Sequence, residues 1–195
     1  MSIELVDTHT HLNDAKFQAD VKETVQRARA VGVTRMINMG DTLESSERAV
    51  NLAESYEGLY AGVGIHPEEL AGAAEGDFAV IRELAAHEKC AAIGEIGLDY
   101  YWDASRREEQ KELFAKQLEL ALELDKPVII HDREAHADTL AIIREFPGIT
   151  GVFHCFSGSP EMAQELLKLG WYLGFDGPVT YKNARRAPEV AAVTP

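Results

Sequence analysis

Short apolar runs alternate with longer amphipathic stretches along the whole chain. The pattern predicts strands at residues 3–6, 33–39, 59–65, 91–96, 128–130, 149–153 and 171–175. Between them, apolar residues recur at helical spacing. Phe17, Val21, Val25 and Ala28 mark a first helix that Gly32 stops. Residues 43–56 form a second, with Asp41 or Thr42 as its N-cap, and Phe78, Ile81 and Leu84 mark a third. In the fourth, Phe114, Gln117, Leu118, Ala121 and Leu124 share one face down to Pro127, and Ser105 with Glu108 predicts a capping box. Further helices are expected over 135–146, 161–169 and 184–193. Seven β-then-α units predict a parallel sheet with helices packed outside it. The strands are continuously apolar, as strands buried on both faces should be. With no linker or repeat, residues 1–195 are expected to form a single α/β domain.

Charge narrows the function. The formal net charge of −14 excludes a broad basic surface for nucleic acid, though not local binding of a phosphate ester through metals and a few cations. Two cysteines, Cys90 and Cys155, do not make a disulfide framework, and no apolar run approaches the ~20 residues that span a membrane. A soluble, cytoplasmic protein with no membrane partner is expected.

The chemistry gathers where strands end. Of seven histidines, His9, His66, His131 and His154 follow an apolar strand, and His11 lies two residues beyond His9. Residues from strands one, three, four, five and six can meet around one point only if the sheet closes. This favours a TIM-type (β/α) barrel over an open sheet, with its site at the C-terminal strand ends. Residues i and i+2 of a strand point the same way, so His9 and His11 can grip one metal together. Asp7 shares their face, either as an acceptor for an imidazole N–H or as a buried hydrogen-bonding carboxylate. Glu95 sits among apolar residues and two glycines, where a carboxylate is costly without a partner. A metal is one such partner, and two oxygens can bridge two cations; a salt bridge to Arg133 is the alternative. His131 and His154 complete a second nitrogen and oxygen set, suited to Zn²⁺, Mn²⁺, Mg²⁺ or Co²⁺. His66, before Pro67, is read as a contact to a substrate phosphate, against a structural turn residue. Asp99 could orient a ligand, touch substrate or cap a loop. The run from Tyr181 to Arg186 is a local basic cluster, open to phosphate or to solvent.

Together these segments resemble the TatD family of metal-dependent deoxyribonucleases. The motifs are Asp-Thr-His9-Thr-His11-Leu, Gly-Ile-His66-Pro, Gly-Glu95-Ile-Gly-Leu-Asp99-Tyr-Tyr, His131-Asp-Arg and His154-Cys-Phe-Ser-Gly. The resemblance implies two divalent metal ions, one held by His9 and His11, the other by His131 and His154, with Glu95 bridging. It implies a metal-activated water that hydrolyses phosphodiester bonds, with DNA as the substrate and catalysis dependent on Glu95. It further implies an eighth strand ending in a Glu-Thr-Asp-type motif, whose aspartate is a ligand and base. That strand does not occur before Pro195, so weakened metal binding, reduced activity and an open sheet edge are expected; a complete barrel would be a monomer, and the open edge could pair two copies. A deaminase or cyclic-amide hydrolase of similar fold is the rival enzyme reading. An inactive metal-binding barrel is the non-catalytic one.

Overall fold

The computed structural model describes residues 4–74 and 76–195. Seven parallel strands run in sequence order across one curled sheet. They are β1 (Leu5–Thr10), β2 (Val33–Met39), β3 (Leu59–Val63), β4 (Cys90–Asp99), β5 (Val128–Arg133), β6 (Gly151–Phe153) and β7 (Tyr172–Leu173). The helices between them are α1 (Val21–Ala30), α2 (Leu43–Ser55), α3 (Asp77–Ala85), α4 (Arg107–Glu123), α5 (His136–Glu145) and α6 (Pro160–Lys168), and α7 (Arg186–Ala191) follows β7. Parallel strands need long crossovers, and right-handed ones wind each helix onto the outer face. The result is the TIM-type barrel architecture expected from the sequence. Among the described residues, β1 and β7 pair on one side only.

Most of the apolar core lies between strands and helices, where Leu59, Ile81, Ile93, Ile96, Phe114, Leu118 and Phe153 are buried. A smaller cluster of Met39, Ala92 and Ile129, with Ile37 against it, packs apart from that layer. Gly97 is required by position: its φ is +142°, and a Cβ there would lie 2.0 Å from the His131 carbonyl oxygen. No helix among the described residues is long and apolar enough to cross a membrane.

Three local expectations differ from the structure. Ser105 does not cap α4: Asp103 accepts from its backbone N–H and starts a 3₁₀ turn over Ala104–Arg106, from which α4 continues. The aspartate reaches its own backbone two residues on, a shorter closure than the box needs. The first strand does not lie at 3–6. It starts at Leu5 and runs through His9, and Ile3 lies outside the described residues. Nor is it buried on both faces: Leu5 and Val6 are 47 % and 54 % exposed because β1 is an edge.

Candidate metal centre

The C-terminal strand ends converge on Glu95, which is buried in the middle of β4. Its two oxygens face different histidines. Oε2 lies 3.3 Å from His9 Nε2 and 3.6 Å from His11 Nε2. Oε1 lies 2.7 Å from His154 Nε2, 3.0 Å from His131 Nδ1 and 3.5 Å from His66 Nε2. His9 belongs to β1 and His131 to β5, while His154 follows β6 directly and His66 lies three residues beyond β3. All five histidines and the glutamate named from the sequence therefore share one end of the sheet. Arg133, the alternative partner for Glu95, stacks instead over the Tyr101 ring, 3.9 Å from its centroid.

Behind two of these imidazoles stands a carboxylate. Asp99 Oδ2 lies 2.9 Å from His131 Nε2, and Asp176 Oδ2 lies 3.3 Å from His154 Nδ1. A ring nitrogen that faces a carboxylate carries the proton, so the opposite nitrogen of the neutral ring presents its lone pair. Here those nitrogens point at Glu95, an arrangement that repels unless the ring is protonated or a cation lies between. On the other side, His9 Nε2 and His11 Nε2 are 3.0 Å apart, and His9 Nδ1 is buried without a partner. No arginine or lysine pairs with Glu95 among the described residues. The donors of His9, His11 and Glu95, and those of Glu95, His131 and His154, each lie within 4.8 Å of one another. This nitrogen and oxygen set fits divalent cations.

Electrostatics follow the geometry. Burial would raise the Glu95 carboxyl, but the imidazoles of His11, His131, His154 and His66 hold it well below the usual carboxylate range. Burial lowers the His9 imidazole. It also works against the His154 imidazolium, yet Asp176 and Glu95 outweigh it and push that pKa up to about 9. His131 is raised too, because Asp99 and Glu95 overcome its burial. A cation competing for His154 Nε2 must displace a proton that is held up to about pH 9. Affinity at that side is therefore expected to climb about tenfold per pH unit below this value and to flatten above it. Titration of Mn²⁺ at pH 7 in buffers of different ionisation enthalpy should return at least one released proton per cation bound there. A pH-independent affinity would contradict the arrangement.

The remaining sequence candidates divide. His66 is buried inside the ring of histidines, and its Nδ1 accepts from the Glu68 backbone N–H at 3.2 Å. In the neutral ring the proton then sits on Nε2, which faces the cluster. Asp99 is fully buried: its Oδ1 accepts from the backbone N–H groups of Tyr101 and Trp102 at 2.9 Å each, while Oδ2 faces His131. The carboxylate thus stands behind the His131 ring and under the Tyr101–Trp102 turn. Asp7 is exposed and, among the described residues, accepts only from the His9 backbone N–H, at 3.1 Å, because the edge strand leaves its side chain in solvent. The basic run does come to the site. Arg185 and Arg186 line a cleft of about 730 Å³ together with His131, Arg133 and His154.

Two glutamines of α4 were not foreseen as part of the site's support. Gln117 brackets the Ile65 backbone beside His66, accepting at 2.8 Å and donating at 3.0 Å. Gln110 does the same for the Asp99 backbone, at 2.9 Å in each direction. They stand seven residues apart, two helical turns, on the buried face. A polar pair at that spacing on an apolar helix face is the signal the sequence held.

A family model described as TatD related DNase matches residues 6–195. The chain belongs to the TatD-related DNase family. It is 44 % identical over 193 residues to the uncharacterized metal-dependent hydrolase YabD of Bacillus subtilis, covering 98 % of this chain and 76 % of that protein. It is 38 % identical over 195 residues to the 3'-5' ssDNA/RNA exonuclease TatD of Cronobacter sakazakii, covering 98 % of this chain and 73 % of that one. Among solved structures, the Escherichia coli TatD homolog YJJV superposes with a TM-score of 0.92 at 34 % identity, across all of this chain and 76 % of its own. This TatD-type protein is thus a metal-dependent hydrolase.

Proposed function

We propose that this TatD-type chain holds two divalent cations around Glu95 and hydrolyses phosphodiester bonds in nucleic acid. The observation that carries the reading is the division of the Glu95 oxygens between two imidazole sets. His9 and His11 with Glu95 would hold one cation, and His131 and His154 with Glu95 the other. Bound there, such cations supply Lewis acidity toward phosphoryl oxygens and lower the pKa of a water toward neutrality.

The chain's own groups supply the rest. Asp99 and Asp176 hold the outward nitrogens of His131 and His154, which fixes each ring's tautomer and aim. His66 offers an Nε2–H donor to a phosphoryl oxygen. Arg133, Arg185 and Arg186 bring positive charge to the cleft, where an otherwise acidic protein can receive a phosphate chain. Asp176 is kept ionised, chiefly by the His154 hydrogen bond, and its side chain is 39 % exposed. Of the two backing carboxylates it is the one open to solvent. Two free thiols, Cys90 and Cys155, accord with action in a reducing cytoplasm.

The test is a substrate panel. Single-stranded oligonucleotides should be cleaved in Mg²⁺ or Mn²⁺, cleavage should cease in chelator and return when metal is restored, and cyclic amides should be left intact. Turnover of cyclic amides with none of oligonucleotides would replace this reading with its rival.

A further inference from the structure

At the rim of the centre, two large aromatic side chains stand in solvent. Tyr101 is 56 % exposed and Trp102 is 62 % exposed. Their rings meet edge to face, with centroids 4.9 Å apart and planes at 86°. The Arg133 guanidinium lies 3.9 Å from the Tyr101 centroid and 5.4 Å from that of Trp102. Single exposed aromatics are ordinary; a braced pair beside a buried cluster is a formed surface. Its position is fixed from beneath. The backbone N–H groups of Tyr101 and Trp102 both donate to Asp99 Oδ1, and the other oxygen of that carboxylate faces His131. Arg133 itself lines the cleft that reaches His131 and His154. The aromatic pair is therefore held at a set reach from the reacting centre.

Charge says what such a surface is for. With 33 acidic residues against 19 lysines and arginines, the protein has no broad basic surface for a strand, and phosphate contacts at the cleft rest on a few arginines. Stacking needs no net charge. A base with a free face stacks on an aromatic ring whatever its identity, and a stacked guanidinium strengthens the attraction. A paired base inside a duplex has no such face to offer.

We infer that Tyr101 and Trp102, braced by Arg133, are the stacking platform for an unpaired nucleobase of the strand on which the centre acts. The inference rests on the phosphodiester reading of the centre and adds to it the residues that recognise the strand.

Binding in chelator tests it without cleavage. Labelled hexathymidylate and hexauridylate would be titrated by anisotropy, each against an abasic strand of the same length. The native protein should bind at least one base-bearing strand about tenfold more tightly than its abasic counterpart, and the two arms tell DNA from RNA as the source of the base. Trp102→Leu should lose that preference, and Trp102→Phe should restore most of it. Trp171 is 4 % exposed, so quenching of tryptophan emission by the strand reports chiefly on Trp102. Both side chains are exposed, and unchanged circular dichroism would show that the variants fold. Equal affinity for base-bearing and abasic strands, or a Trp102→Leu protein that binds as the native one does, would overturn the platform and leave the reading of the centre standing. Absence of metal-dependent cleavage in the substrate panel would overturn that reading while the binding result still decides the platform.

Discussion

Glu95→Gln should lower metal-dependent cleavage by about a thousandfold or more, from the several kcal/mol that metal-centred charge stabilisation contributes and the tenfold in rate that each 1.36 kcal/mol represents. Glutamine keeps the volume, so the packing of β4 against β5 stays. It removes the one negative charge that faces five imidazoles, and it offers one acceptor oxygen where the carboxylate offered two. Whichever set its amide nitrogen faces loses its shared ligand. Steady-state rates on an oligonucleotide at saturating Mn²⁺, with metal content measured alongside, check this. A variant with a near-native rate and full metal content would remove Glu95 from the proposed bridging role.

Asp99→Asn should weaken metal affinity by about 10–100-fold, the usual cost of losing a carboxylate behind a ligating histidine. The amide oxygen can still accept the two turn N–H groups, so the turn is kept. Its NH₂ group is a donor, however, and meets His131 Nε2 where the carboxylate accepted a proton. The imidazole then places its proton on Nδ1, the nitrogen that faces Glu95. Excess metal should recover much of the lost rate, which a folding defect would not allow. If the metal titration curve is unshifted, His131 does not depend on Asp99 for its aim.

What could be read from the sequence follows physical strength of signal. β2 stands at the predicted residues 33–39, and Thr42 caps α2, because a short apolar run and a threonine three residues before Ser45 are local facts. The five histidines and Glu95 were legible as a group because each ends or follows an apolar run, and chain order already places parallel strand ends together. The supports of the site were legible only in part, with Asp99 open to three roles. That Asp99 faces inward and Asp7 outward depends on which strand lies at the edge, a property of the whole sheet. Asp176 follows β7, a strand of two residues, too short for periodicity to fix the direction of what comes after it. Gln110 and Gln117 carry no motif; their role exists only once α4 lies against the loops after β3 and β4.

The Asp99 carboxylate joins two things that would otherwise be independent: one oxygen gathers the Tyr101–Trp102 turn and the other steadies His131. A restraint of this kind works in both directions. On the readings proposed above, a cation that immobilised His131 would also still the turn, and so reduce the entropy a strand must surrender on docking against it. A docked strand would in turn make the cation harder to remove, by the same factor. Strand and cation would then be mutual effectors through a single side chain, and the cation's dissociation constant measured on the protein alone would describe a weaker site than the one present during turnover.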